Sequence, residues 1–379
     1  MIAAVFLGVA AIPVIYYLIA IYSCWRYFRQ PVLAPDPNFL PPVSNLKPIR
    51  GLDPEAYENL ASFCVQDYPN YEIVFCVDPD DAAVVSVVEK LRRNFPQRRI
   101  RILYGSGRVA ANDKVAKLAR LVSEAEHETL VISDSDVRVR PDYLRTVVAP
   151  LRDKNVGAVT CFYVPTEVRT FTDRLQTAGM ISDFFASTLV AWQLDGVKFA
   201  LGTTIVTTRS RIRAFGGYEE LENRPADDLL VGRLIAEQGT EVVLSRYVIE
   251  TVPDYHSLRA LLDKRLRWIV VMRHMRPWGH FGLAFTQGLP WSIAAFAVHP
   301  SEAVAVGFFG VYLFLRMLMT WIVIQGLKRP RLWKEMLLIP IWDAVAFAIW
   351  SASFLRSSIR WRGADYFIRD GKLVPAEPD

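Results

Sequence analysis

No charged residue interrupts the chain from Ile2 to Trp25, and nearly every position in that stretch is apolar. A helix of that length reaches across the ~30 Å hydrocarbon core of a bilayer. Lipid offers backbone groups no water, so a helix is the form that satisfies them, and Pro13 kinks it without forbidding it. A secretory signal would carry a basic first region and a shorter apolar core. Arg26 and Arg29 follow at once, among Tyr22, Trp25 and Tyr27. Positive charge beside an aromatic belt predicts that the chain continues on the cytoplasmic side. Pro31, Pro35, Pro37, Pro41 and Pro42 then make a stiff, extended spacer.

The other end of the chain is apolar as well. Stretches 281–298, 303–325 and 336–355 are long and hydrophobic, and the first is broken by Gln287, Gly288 and Pro290, as a re-entrant segment would be. Arg316 and Asp343 lie inside the other two and are expected to face protein or a polar headgroup, because lipid-facing charge is costly. Lys328, Arg329, Arg331 and Lys334 precede the last stretch, while Arg356, Arg360 and Arg362 follow it. Both groups favour the cytoplasm, so charge leaves the topology of that stretch open. Alternation in 361–374 suggests a short hairpin packed on the central domain.

Between the apolar ends, strands alternate with helices. Strand candidates at 72–77, 100–104, 129–133 and 156–162, with helical stretches such as 82–95 and 114–125, predict a mostly parallel α/β sheet flanked by helices. The domains expected are an anchor (1–25), a Pro-rich linker (26–45), a cytoplasmic α/β domain (46–255), an interfacial helix (256–280), membrane helices (281–355) and a tail (356–379). The four cysteines are scattered, with no disulfide or zinc spacing, which favours a reducing compartment.

Acidic residues recur at the element ends of this domain. The run Leu130-Val131-Ile132 reads as a buried strand, and Asp134 and Asp136 follow where it ends, with Ser133 and Ser135 allowing a bend. Ligands of open α/β sheets bind beyond the carboxyl ends of strands. Two hard oxygen ligands there suit Mg²⁺ or Mn²⁺, although a lone Asp-x-Asp is more often a solvated turn. The first strand candidate ends at Asp78; Asp81 suits the N-cap of the next helix, leaving Asp78 free to accept from a base or ribose. Between them, Gly105 to Lys114 is a glycine-bearing loop with basic residues, able to bring N–H groups and a lysine toward a diphosphate. It is neither a Walker loop nor a dinucleotide fingerprint. Asp227 and Asp228 open a third acidic cluster at a helix start, a pattern that by itself is usually a dipole complement. Lys264, Arg267 and Trp268 lie on an amphipathic helix suited to a lipid surface. The net charge of +5 comes without a basic run interleaved with aromatics, so nucleic acid is not an expected partner.

Taken in order, Asp78, the Asp134-x-Asp136 pair, Asp228 and the element ending in Arg267-Trp268 resemble the signature of membrane glycosyltransferases. Within them the chain looks most like the ceramide glucosyltransferase family. Leu46-Lys47-Pro48-Ile49-Arg50-Gly51, Asp67-Tyr68-Pro69-Asn70-Tyr71-Glu72, Asn112-x-Lys114 and Val137-Arg138-Val139-x-Pro141-Asp142 add to the likeness. The similarity spans about Lys47 to Arg273 and is nearer to a bacterial branch associated with hopanoid biosynthesis. Two positions depart from the pattern. Lys264 stands where Gln or Arg usually begins the last motif, and Asp136 stands where the eukaryotic ceramide enzymes have Gly.

The resemblance implies a nucleotide-sugar-binding domain of the GT-A, Rossmann-like type. It implies that Pro48, Asp78, Asn112, Lys114, Asp134 and Lys264 contact the donor, and that Asp134 and Asp136 hold a divalent metal. By the same carry-over Asp228 is the catalytic base, with Arg267 and Trp268 beside the reacting groups. The expected reaction moves a sugar, with inversion, from a UDP-sugar to a membrane-lipid hydroxyl, tilted toward N-acetylglucosamine and a hopanoid such as bacteriohopanetetrol. A bacterial inner-membrane protein is expected. Glucosylation of ceramide, a processive polysaccharide synthase and a non-enzymatic nucleotide-sugar sensor are the alternatives.

Overall fold

A computed structural model describes residues 2–108, 110–253, 257–361 and 364–376, so Arg362 and the expected boundary at 255/256 lie outside the described residues. Eight strands form the main sheet: β1 (Val43–Pro48), β2 (Tyr71–Val77), β3 (Arg99–Tyr104), β4 (Thr129–Ile132), β5 (Val137–Arg138), β6 (Val156–Pro165), β7 (Ile205–Thr208) and β8 (Glu241–Thr251). Their spatial order is β3-β2-β1-β4-β7-β6-β8-β5. β3, β2, β1 and β4 run parallel, and so do β6 and β8; β7 runs against both of its neighbours and β5 against β8. The sheet is therefore mostly parallel, as the alternating pattern predicts.

The parallel half decides where chemistry gathers. Pro48 pairs in register with Cys76, and Leu46 with Ile132, so the carboxyl ends of β1, β2 and β4 finish side by side. β1 and β2 are buried on both faces; β2 is near-continuously apolar apart from Glu72, whereas β1 also buries Ser44, Asn45 and Lys47. Asp81 caps the helix Ala82–Asn94, its carboxylate accepting from the Val84 N–H at 3.1 Å. The helix Asp113–Glu124 lays Val115, Leu118, Leu121 and Val122 on the sheet.

The N-terminal helix continues to Arg29, four residues beyond the expected anchor, before the extended linker. Three helices are long and apolar enough to cross a membrane: Ala3–Arg29, Glu302–Leu327 and Pro330–Ser353. Pro277–Thr286 and Gly288–Val298 form a pair bent by 60°, and the break falls at Gln287. Arg316 and Asp343, both under 10% exposed, pair with each other across two of these helices. Tyr312 Oη donates to Asp343 Oδ2 at 2.8 Å, and the Arg316 guanidinium also donates to the Ser182 carbonyl. Removing one member leaves the other buried and uncompensated, at a cost of about 3–5 kcal/mol. Asp343→Ala is thus expected to lower the thermal midpoint of the detergent-solubilised protein sharply. The Arg316→Met/Asp343→Leu double variant should recover most of that loss, and equal midpoints for Asp343→Ala and the parent would contradict the pairing.

The tail differs from the expected hairpin. β9 (Ser358–Trp361), β10 (Ala364–Arg369) and β11 (Lys372–Pro375) form a three-stranded antiparallel sheet. Ile359, Ile368 and Leu373 pack on Val270 and Val271 of the amphipathic helix Leu258–Met275. The strand before the expected pair forms because Ile359 completes that small apolar face.

Candidate active site

A cleft of about 210 Å³ opens beyond the carboxyl ends of β1 and β4, lined by Pro48, Ile49, Arg50, Asp53, Asp113, Lys114, Lys117, Asp134, Ser135 and Asp136. The chain leaving β4 bends at Ser133–Asp136 before entering β5. Lys47, wholly buried on β1, fixes that bend: its Nζ donates to the Asp134 carbonyl at 2.9 Å and lies 3.3 Å from the centre of the Phe63 ring. Burial holds the Lys47 ammonium well below its ordinary pKa, against the pull of Asp134 and Asp136. Ser135 Oγ donates to Asp53 Oδ2 at 2.5 Å, tying the acidic loop to the segment after β1.

Lys114, at the head of its helix, stands between acidic groups. Its Nζ is 2.6 Å from Asp134 Oδ1 and 3.8 Å from Asp227 Oδ2. Burial works to lower its pKa, but Asp134, Asp227 and Asp228 outweigh it and hold the ammonium charged. Asp228 arrives on the helix Asp227–Ala236, which packs in the same core as the Lys114 helix. Its Oδ2 accepts from the Gly202 N–H at 2.9 Å and its Oδ1 from its neighbour Leu229 N–H at 2.8 Å. Ala226, just before it, has φ +56°, a left-handed conformation that costs a residue with a side chain about 1–3 kcal/mol. That strained turn aims both aspartates inward.

Gly202 is the point these groups share. A methyl group built there would sit 3.1 Å from Asp228 Oδ2, 3.2 Å from Asp134 Oδ2 and 3.3 Å from Lys114 Nζ. The antiparallel β7 explains the meeting: it begins at Ile205, opposite Ile132, so the loop ahead of it lies over the end of β4. Sequence spacing gave no hint of Gly202, which is far along the chain from each partner.

Burial, followed by the charges of Asp134 and Asp53, raises the Asp136 carboxyl to about 7, with Lys264 and Lys47 acting the other way. Burial and then Asp227 raise Asp228 to about 6, opposed by Lys114 and the Leu229 N–H. Lys264 brings the amphipathic helix into the field of this cleft, and its Nζ stands 5.5 Å from the centre of the Trp268 ring. Arg265 lies 5.1 Å from the same ring and donates to Gln176 Oε1 at 2.8 Å. Arg267 is half-buried on the same helix.

Two expectations need revision. Asp78 is not free: the buried Lys117 Nζ donates to its Oδ2 at 2.8 Å and to the Ile49 carbonyl at 2.8 Å. Lys117 faces inward because three oxygens compensate it, the third being Asp113 Oδ2 at 3.2 Å. Asn112 is fully buried beneath the cleft, its Nδ2 donating to Asp227 Oδ1 at 3.3 Å and to the Arg224 carbonyl at 3.3 Å. It steadies the neighbour of Asp228 instead of lining the cleft.

The donor set suits a divalent cation. Asp136 Oδ1 is buried with no hydrogen-bond partner, a cost of about 1–3 kcal/mol that a ligand would relieve. Among the described residues no cluster of three or more His, Cys, Asp or Glu side chains forms a protein-only cage. Two carboxylates sharing a small hard cation with ligand phosphates match that set.

A family model described as Glycosyl transferase family 21 matches residues 5–374. Ceramide glucosyltransferase 1 of Caenorhabditis elegans is 23% identical over 367 residues, 93% of this chain and 76% of that protein. Ceramide glucosyltransferase 3 of the same organism is 26% identical over 269 residues, 68% of this chain. The chain spans about half the length of the latter relative, 55% of it. Among solved structures, a mannosyltransferase from Pyrobaculum calidifontis in complex with GDP-Man and Mn²⁺ superposes with a TM-score of 0.57 at 19% identity, over 92% of this chain and 98% of that one. That likeness is one of fold, a GT-A-like sheet with flanking helices.

Proposed function

Because the chain belongs to glycosyl transferase family 21, we propose that it transfers a sugar, with inversion, from a UDP-sugar to the hydroxyl of a membrane lipid. The observation that carries this reading is the meeting of Asp134, Lys114 and Asp228 around Gly202, beyond the ends of parallel strands. Such an arrangement offers an anion-binding edge and a carboxylate base within one cleft. Asp134 and Asp136 would hold Mg²⁺ or Mn²⁺, which neutralises charge on the leaving diphosphate.

The chain's own groups account for the rest. Asp78, held by Lys117, and Pro48 border the nucleoside. Lys264 and Arg267 reach the diphosphate from the amphipathic helix, with Trp268 beside the reacting groups and its ring 5.5 Å from Lys264 Nζ. Asp228, opposite the leaving group, takes the proton of the acceptor hydroxyl as its oxygen attacks the anomeric carbon. Its raised pKa makes it a stronger base than an exposed aspartate. Only the carboxylate can accept that proton. kcat/KM is therefore expected to fall about tenfold per pH unit below about 6 and to level off above. A pH–rate profile that stays flat down to pH 4 would remove Asp228 from this role.

The sheet domain would face the cytoplasm of a bacterial inner membrane, as the basic residues after the first span favour. For the acceptor and sugar, the reading is N-acetylglucosaminyl transfer to a hopanoid such as bacteriohopanetetrol. A second reading, glucosylation of ceramide, is favoured by the named activity of the relatives in Caenorhabditis elegans. Mass spectrometry of lipids from the source cells, with and without this gene, separates the two. Loss of a hexosamine-bearing hopanoid is expected, and an unchanged glycolipid profile would contradict both readings.

A further inference from the structure

The helix Pro330–Ser353 is long and apolar enough to cross a membrane, yet basic residues flank both its ends. A crossing would place one set on the disfavoured side. Packing resolves the conflict. This helix runs beside the amphipathic helix Leu258–Met275 along its length: Leu261 packs with Trp342 near one end, and Arg273 donates to the Ser353 and Arg356 carbonyls at the other. The amphipathic helix is too charged for hydrocarbon. Its Arg259 and Asp263 side chains are 92% and 70% exposed, and charged groups like these are strongly disfavoured at the bilayer centre. Its neighbour is held at the same depth.

Both ends of the apolar helix also reach the sheet domain. At the first, Arg329 pairs with Glu250 of β8, and Arg174 meets Glu335 at 2.9 Å. At the second, the chain enters β9, whose sheet packs on Val270 and Val271, and the Leu373 N–H donates to the Asn223 carbonyl at 2.7 Å. One folded domain sits on one side of a bilayer. A helix anchored to it at both ends does not cross.

The outer face of the helix is an apolar stripe: Trp333, Leu337 and Ile341 are exposed, with Phe347 after them and Leu355 beyond the end. Arg331 and Lys334 at one end and Arg356 and Arg360 at the other are exposed too. They complement anionic headgroups, which attract basic side chains held near their surface. We propose that 330–353 lies in the membrane plane on the side of the sheet domain, its apolar stripe seated in a leaflet that contains anionic phospholipid. The domain is then fixed to the bilayer along a line, which restrains its tilt as well as its distance.

Cysteine labelling tests this without reference to any transfer activity, so its outcome is independent of the function proposed above. Lys328→Cys, Ser357→Cys and, as a marker of the sheet domain, Lys154→Cys each change an exposed residue. The four native cysteines are buried, which keeps background low. In sealed vesicles, a membrane-impermeant maleimide is expected to reach all three from the same face. Labelling of positions 328 and 357 from opposite faces would overturn the proposal. Nitroxides at Leu337→Cys and Phe347→Cys, in phosphatidylglycerol-containing vesicles, should report nearly equal, shallow depths with free access to oxygen. A depth difference near 15 Å, the rise of ten helical residues, or exclusion of oxygen by a covering protein surface, would equally overturn it.

Discussion

Asp228→Asn is expected to lower turnover by about 10²–10⁴-fold while leaving nucleotide affinity nearly unchanged. The replacement keeps the shape of the side chain, and its carbonyl oxygen can still accept one of the two N–H bonds that Gly202 and Leu229 now donate. The second bond is lost, at about 1 kcal/mol, a small cost beside the loss of the proton acceptor. Neutralising Asp228 also relieves its repulsion with Asp227. The variant should therefore fold, bind UDP and fail to turn over. Steady-state rates beside calorimetric titration with UDP check this, and turnover near the parent value would refute the base assignment.

Asp136→Asn should separate folding from cation binding even more cleanly. Burial first, and then the charges of Asp134 and Asp53, push the Asp136 carboxyl up to about 7. An amide of the same shape removes that repulsion, so the variant's thermal midpoint should equal or exceed the parent's. Its turnover should drop by at least about 10²-fold, since a ligand to the cation and the charge it supplies are both gone. The gain of nucleotide affinity on adding Mn²⁺ should disappear as well. If Mn²⁺ still tightened UDP binding to Asp136→Asn, the cation would have to be held elsewhere.

Local features of the sequence carried much of this account. The strand before Asp134 was legible because three apolar residues precede it and a polar bend follows. The Asp81 cap was legible because capping depends on residues three positions apart, and it is present. Arg316 and Asp343 were expected to face protein because lipid gives charge no partner, and they face each other. What escaped depends on contacts between distant segments. Lys117 reads as one more polar residue on a surface helix, yet it is buried, and its partner Asp78 is 39 positions away. That pairing is why Asp78 is anchored instead of free. Gly202 carries no motif, and its importance follows only from β7 running against β4. The family resemblance grouped Asn112 with Lys114, but a helix start turns the two residues in different directions, one under the cleft and one into it. The tail's third strand was missed because a lone four-residue strand such as β9 is stable only once Val270 and Val271 offer it an apolar floor.

The central claim is that one cleft holds a nucleotide sugar and opens to a lipid acceptor. Incubating purified membranes with radiolabelled UDP-sugars and Mg²⁺ or Mn²⁺, then extracting with organic solvent, tests it most directly. The account predicts label in the organic phase with the parent protein and none with Asp228→Asn. Label in an insoluble polymer, or tight nucleotide binding with no transfer at all, would contradict it.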